Sequence, residues 1–144
     1  MRRYVKYLIY SICLIIICTE IFLRYAGFGS YPVYDLDQEM KYIPAANQHG
    51  LFLNRNSWFL NNRHMVNIEN WSTEKHPNIL LLGNSIVFGA LHFTHEEKLG
   101  PLLEKNLGPR YVVWSAANWL TNLNEIAYID NNFDVLQNAD VVVL

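Results

Sequence analysis

The sequence has little cysteine, and both cysteines lie in an apolar N-terminal segment. Cys13 and Cys18 therefore cannot form a disulfide framework for a domain that follows this segment. Basic residues are also scarce: from residue 25 onward there are seven Lys and Arg against twelve Asp and Glu, with no basic cluster. This balance argues against nucleic acid as a partner. Cysteine and histidine spacings typical of metal sites are missing too, so no metal is expected.

One long apolar run is present, from Tyr7 to Leu23, with Glu20 as its only charged residue. It is slightly shorter than the roughly 20 residues that cross a bilayer. Three basic residues precede it, which favours an amino terminus in the cytoplasm. We therefore expect residues 1–23 to be an uncleaved single-pass anchor in the inner (plasma) membrane, with the rest of the chain periplasmic or extracellular. A cleaved signal peptide and a buried soluble helix are the alternatives.

The rest of the chain divides into two zones. Residues 24–76 are irregular, polar and aromatic, and glycine and proline punctuate them, which predicts a linker or cap without long helices. Gly50–Leu53 and Ser57–Leu60 are expected to form a small hairpin. Residues 77–144 alternate between strand and helix patterns. The predicted elements, in order, are strand Asn78–Leu82, helix Pro101–Leu107, strand Tyr111–Trp114, helix Asn122–Phe133 and strand Asp140–Leu144.

Short connections between these elements predict right-handed crossovers and a parallel α/β sheet with three layers, of the flavodoxin-like type. The sequence ends within the third strand, so we expect the sheet to be incomplete. In the second helix, four residues are expected to face the sheet. They are Leu123, Ile126, Ala127 and Phe133.

The first predicted strand runs directly into Gly83-Asn84-Ser85. A serine there stands at the carboxyl end of a buried strand, where open α/β sheets place their ligand chemistry. A serine hydroxyl becomes a nucleophile only with a base to take its proton and donors to hold the oxyanion. Gly83 is expected to permit a tight turn, and Gly89 a close approach by the next element. The same pattern also fits a structural turn in which the serine caps the next segment.

These residues resemble block I of the SGNH/GDSL hydrolases, in which a strand is followed by Gly-Asp-Ser. Val113–Trp119 resembles the second block of that family. Several residues between positions 20 and 65 resemble the lead-in of membrane-anchored SGNH proteins of bacterial envelopes. The resemblance implies that Ser85 is the nucleophile and that its own amide is one oxyanion donor. It also implies a site without cofactor or metal.

The match departs from the family pattern at two positions. Asn84 stands where the family usually has aspartate, an exchange that keeps the shape but removes a negative charge. The second-block glycine has no clean equivalent, and Ala117 and Asn118 are the nearest candidates. Asn118 is favoured because a side-chain amide at the strand edge can itself donate to an oxyanion.

The resemblance implies a membrane-anchored ester hydrolase or acyltransferase that acts on O-acyl esters, with envelope polysaccharide as a natural substrate class. The family's third-block Asn and its late Asp-x-x-His pair are missing from the 144 residues. A chain truncated after the third strand is therefore expected to be weak or inactive. The five histidines are interpreted as surface or packing residues. His92, His95 and Glu96 lack a third metal ligand.

Two other functions fit parts of the sequence. A non-catalytic glycan-binding or scaffold protein of the cell envelope would use the same fold, with Trp114, Trp119 and Tyr128 available to contact sugars. Asn84 in place of aspartate favours this alternative mildly. A nucleotide-binding domain is disfavoured, because the loop after the first strand lacks the P-loop lysine and the Gly-x-Gly-x-x-Gly spacing.

Overall fold

The computed structural model describes residues 2–74, 77–117 and 122–144. Helix α1 (Arg2–Tyr25) begins the chain, and its residues 3–25 have a mean hydropathy of 2.0 with none of the apolar stretch buried against the protein. The predicted apolar N-terminal helix is therefore confirmed. It is long and apolar enough to cross a membrane, although signal sequences share these properties. Near its end, Arg24 Nε donates to Glu20 Oε1 at 2.7 Å, one turn away.

Two antiparallel hairpins follow this helix. The first, β1 (Tyr34–Asp37) with β2 (Lys41–Pro44), was not predicted from the sequence. Its turn is closed by Asp37 Oδ1, which accepts hydrogen bonds from the amides of Glu39 and Met40 at 2.9 and 2.7 Å. The second hairpin, β3 (Gln48–Phe52) with β4 (Asn56–Leu60), confirms the predicted pairing and is slightly longer at both strands.

A parallel three-stranded sheet makes the chain a mixed α/β protein. It contains β5 (Asn78–Gly83), β6 (Val112–Ala117) and β7 (Val141–Val143), in the order β6-β5-β7. All three predicted strands are confirmed, and β5 is the central one. Between them lie α2 (Ser85–Phe88), a 3₁₀ turn (His95–Glu97), α3 (Leu99–Leu107), α4 (Asn122–Asn131) and α5 (Phe133–Gln137).

The predicted helices differ from the observed ones at their ends. α3 begins two residues before Pro101, because proline is tolerated in the first turn of a helix, where its missing N–H would have no partner. The predicted helix Asn122–Phe133 is divided at Asn132. The amide and the side-chain Nδ2 of Asn132 both donate to Tyr128 O, at 3.0 Å each, and the chain starts a new short helix after it.

The prediction of which helix residues face the sheet is wrong in part. Ile126 and Phe133 are 63% and 54% exposed, whereas Tyr128 and Val135 are 8% and 0% exposed. The side that faces the core is therefore marked by Tyr128 in α4 and by Val135 in α5. Tyr128 can be buried because its hydroxyl donates to Arg63 O at 2.9 Å. Ala127 packs against the core as predicted, and the side chain of Leu123 lies outside the described part.

Two hydrophobic clusters cover the two faces of the sheet. On one face, Ile79 and Leu81 pack with α2 and with the β3–β4 hairpin; on the other, Leu80 and Leu82 pack with α4, α5 and the β1–β2 hairpin. In addition, Val66 N donates to Ser115 O at 2.8 Å, which adds an antiparallel bridge to the outer edge of β6. Residues of the 24–76 segment therefore contribute to both halves of the core.

Candidate functional site

Ser85 lies at the carboxyl end of the central strand, as the residues predict. β5 ends at Gly83, and Ser85 is the first residue of α2. Its side chain is exposed. The helix cap is Asn84, whose side-chain oxygen accepts the amide of Ile86 at 3.0 Å. The side chain that caps this segment is therefore that of Asn84 and not the serine, and Ser85 is exposed at the turn.

Two glycines shape this turn, each for a different reason. A Cβ on Gly83 would lie 2.5 Å from Val87 Cγ2, so glycine is needed here because α2 packs closely on the end of its own strand. Gly83 does not have a positive φ, so glycine is not needed here for a special backbone conformation. It is needed because a side chain would collide with Val87. Gly89 has φ +75°, and a Cβ there would lie 2.9 Å from Lys98 Cγ. The predicted close approach at Gly89 is confirmed.

The end of β6 lies beside the serine turn. Gly83 and Ala117 are partners in the parallel register, so both strands end at the same edge of the sheet. Asn118, the predicted second oxyanion donor, lies outside the described residues, as do Trp119 and His76. The role of Asn118 stays a prediction.

The described histidines contact other parts of the chain. His49 and His95 pack against Phe59, His92 packs against Phe52, and His64 Nδ1 lies 2.7 Å from Pro44 O. His95 is buried, and burial, together with the charge of Lys98, lowers its pKa. None of these contacts involves Ser85. They fit the interpretation of these histidines as packing residues, and a base for Ser85 is not identified among them.

Lys98 is a buried amine that sequence reasoning missed. Only 3% of this residue is exposed, and its Nζ lies 5.3 Å from the centre of the Phe88 ring, at the end of α2. Burial lowers the pKa of Lys98 to about 8. A lysine at the start of a helix normally reaches solvent. The sequence around Lys98 therefore did not predict that this residue is buried. The side chain of Lys98 packs against the end of α2 at Phe88 and Gly89, and its charge also acts on His95.

Two of the three aromatic side chains proposed for sugar recognition are buried, and the third, Trp119, lies outside the described residues. Trp114 is fully buried, and its Nε1 donates to Asn78 Oδ1 at 2.9 Å. Tyr128 is also buried, which raises the pKa of its phenol. Neither side chain can offer a face to a glycan in solution, so the glycan-binding alternative loses two of its three aromatic residues.

Two further features of the described part bear on chemistry. Within residues 2–74, 77–117 and 122–144, no group of three His, Cys, Asp or Glu side chains is arranged to hold a metal ion. A groove of about 490 Å³ runs along α3 and β6, lined by Asn67, Glu104 and Val113 among others. Ser85 does not line this groove.

Comparison with known proteins does not assign the chain to a family. No protein-family model, no curated protein and no solved structure matches it. The functional argument therefore depends on the strand order, on the position of Ser85 and on the apolar N-terminal helix.

Proposed function

We propose that the protein is a membrane-anchored ester hydrolase or acyltransferase of the SGNH/GDSL type, with Ser85 as its nucleophile. The observation that carries the proposal is the exposed Ser85 at the carboxyl end of the central strand. In open α/β sheets this is the edge at which ligands bind. The close packing of Gly83 against the buried Val87 supports the turn that carries Ser85.

The strand order supports the same proposal. β6-β5-β7 corresponds to the order 2-1-3 among the parallel strands, which is how a flavodoxin-like sheet begins. Helices α2 and α3 accompany one face of this sheet, and α4 and α5 accompany the other. We therefore propose a flavodoxin-like arrangement of three layers around β5.

The proposed chemistry is acyl transfer through the serine. Ser85 Oγ attacks the carbonyl carbon of an ester while a base takes its proton, and the amide of Ser85 donates to the oxyanion that forms. Asn118 is the proposed second donor. The alcohol leaves with a proton, and the acyl group stays on Ser85 until water or a second hydroxyl removes it. Water makes the protein a hydrolase, and a second hydroxyl makes it an acyltransferase.

The proposed location follows from α1 and its charges. Basic residues near the amino terminus favour a cytoplasmic start, which places the α/β part on the periplasmic or outer side. Esters on that side include the O-acyl groups of envelope polysaccharide, which we propose as the substrate class. No cofactor enters this chemistry.

Covalent labelling tests the proposal. The full chain in mild detergent is treated with a fluorophosphonate, and the modified peptide is identified by mass spectrometry. We expect slow labelling that maps to Ser85 and is lost in Ser85→Ala. Ser72→Ala is the matched control, because this serine only accepts a local hydrogen bond from the amide of Glu74.

Each outcome separates the alternatives. Slow labelling at Ser85 that survives in Ser72→Ala supports the hydrolase, because the oxyanion donors alone leave part of the catalysis of a triad enzyme. Rapid, stoichiometric labelling would show that the expectation of weak activity is wrong. Labelling of Ser85 no faster than that of Ser72 would favour the non-catalytic scaffold.

A further inference from the structure

The end of α1 is joined rigidly to the rest of the protein. The helix is closed by Gly27 (φ +81°), whose amide donates to Arg24 O at 3.0 Å, and by the amide of Phe28, which donates to Leu23 O at 3.0 Å. A left-handed glycine with this pair of hydrogen bonds is a common helix stop. The chain then turns directly onto the protein surface.

The turn of the β3–β4 hairpin holds this helix end. Asn54 Nδ2 donates to Tyr25 O at 2.7 Å, and the amide of Leu53 donates to Gly27 O at 3.1 Å. A Cβ on Gly27 would lie 2.5 Å from the backbone nitrogen of Asn54, so the two segments touch at their backbones. α1 is thus fixed to the hairpin by contacts to two successive hairpin residues.

Exposed aromatic side chains surround the point where α1 meets the hairpin. Phe28 and Tyr31 contact the ring of the buried Phe52, with centroid distances of 6.3 and 5.1 Å. His92 contacts the same ring at 5.5 Å, and the next residue in the chain is the exposed Phe93. We call the exposed members of this group the aromatic collar. They are Tyr25, Phe28, Tyr31 and Phe93.

The residues that contact the collar are connected to Ser85 by a short stretch of chain. Phe93 belongs to the connection between α2, which starts at the carboxyl end of β5, and α3. α3 then returns to the opposite edge, where Arg110 precedes β6. His92, which contacts the Phe52 ring beneath the collar, thus follows Ser85 by only seven residues, whereas Arg110 lies at the amino-terminal edge of the sheet.

We propose that the aromatic collar sits in the headgroup region of the bilayer that receives α1, and that it turns the carboxyl-terminal edge of the sheet towards the membrane. Aromatic side chains favour the membrane–water interface. Arg24 and Arg55 are exposed beside the collar, where they can meet lipid phosphates. The proposal rests on the membrane anchoring proposed above, and it narrows the substrate class to acyl esters carried at the membrane surface.

Depth-dependent quenching tests this placement in the full chain. Cys13 and Cys18 are replaced by serine, and single cysteines are introduced by Tyr31→Cys, Phe93→Cys or Arg110→Cys and labelled with an NBD fluorophore. The proteins are reconstituted into vesicles of phosphatidylcholine and phosphatidylglycerol, with or without lipid that carries a nitroxide near its headgroup. We expect several-fold stronger quenching at positions 31 and 93 than at the matched control position 110.

A label on the native Cys18, with Cys13→Ser, reports insertion of α1 independently. Quenching at position 18 without quenching at 31 and 93 would overturn the collar proposal and leave the anchor standing. Quenching at 110 equal to that at 31 and 93 would also overturn it, because the sheet edge would have no preferred side. A label at 18 that is not quenched would overturn both proposals. None of these readouts depends on esterase activity.

Discussion

Adding one methyl group at Gly83 is expected to destabilise the protein and to displace the serine turn. In Gly83→Ala the new Cβ would lie 2.5 Å from Val87 Cγ2 and 3.2 Å from Val87 Cβ. Val87 is buried in the core of this face, so its side chain has little room to move away. Overpacking of this kind costs about 1–3 kcal/mol. With a urea slope of about 2 kcal/mol/M, the unfolding midpoint falls by roughly 0.5–1.5 M.

Gly29→Ala is the matched control for this change. A Cβ on Gly29 would have Arg24 Cγ at 4.0 Å as its nearest neighbour, and the residue does not need a positive φ. The two proteins are compared in mild detergent by urea unfolding, followed through tryptophan fluorescence, to which the buried Trp58 and Trp114 contribute. A midpoint for Gly83→Ala that equals that of Gly29→Ala would refute the steric argument.

A double variant isolates the contact. Val87→Ala removes the methyl groups that the new Cβ would meet, and by itself it costs about 2 kcal/mol of lost burial. The double variant Gly83→Ala/Val87→Ala should lose about 1–2 kcal/mol less free energy of unfolding than the sum of the losses in the two single variants, because the clash is relieved. Additive effects would show that Gly83 is required for some other reason.

Two further predictions concern buried polar groups. Burial lowers the pKa of Lys98 to about 8 from 10.5, so between these values the unfolded chain binds more protons and the free energy of unfolding should rise with pH. Urea unfolding should show this rise in the parent protein and not in Lys98→Met, and parallel pH profiles would contradict it. Tyr128→Phe removes the hydrogen bond to Arg63 O and should lower the free energy of unfolding by about 1 kcal/mol. A Phe variant as stable as the parent would show that this bond contributes nothing.

The central strand was predictable because its burial is complete. From Asn78 to Leu82 every residue is buried, so the sequence shows one continuous apolar run rather than an alternating pattern. The β3–β4 hairpin was also predictable, since short apolar and aromatic pieces flank a polar turn. In that turn Leu53 and Asn54 both adopt positive φ, at 51° and 56°.

The β1–β2 hairpin and the inward side of α4 were not predictable by the same means. The hairpin depends on one side chain, Asp37, which accepts two amides of its own turn, and such local bonding leaves little trace in hydrophobic periodicity. For α4, the apolar Ile126 is exposed while Tyr128 is buried. A distant carbonyl, that of Arg63, satisfies the phenol and makes its burial favourable.

Some features of the candidate site could also be predicted from the sequence, and others could not. The position of Ser85 follows from the strand and from the glycine before it, so the sequence alone predicts it. The assignment of the cap to Asn84 depends on the local backbone, although asparagine is among the best N-cap residues. Lys98 beneath α2 depends on packing from a different helix, and a single-residue pattern cannot show that.

The shape of the turn that carries Ser85 does not depend on whether the side chain at position 84 is charged. As an N-cap, an aspartate accepts the amide two residues on through one oxygen, and Asn84 makes that bond to Ile86 with its amide oxygen. An Asn84→Asp substitution is therefore expected to leave Ser85 in the same exposed place. A carboxylate at this position would stabilise a nearby positively charged imidazolium and would destabilise a nearby oxyanion. In the proposed mechanism, different groups would thus set the position and the reactivity of the Ser85 hydroxyl. Gly83, Asn84 and the core beneath them position it, whereas the proposed base and second oxyanion donor would set its reactivity.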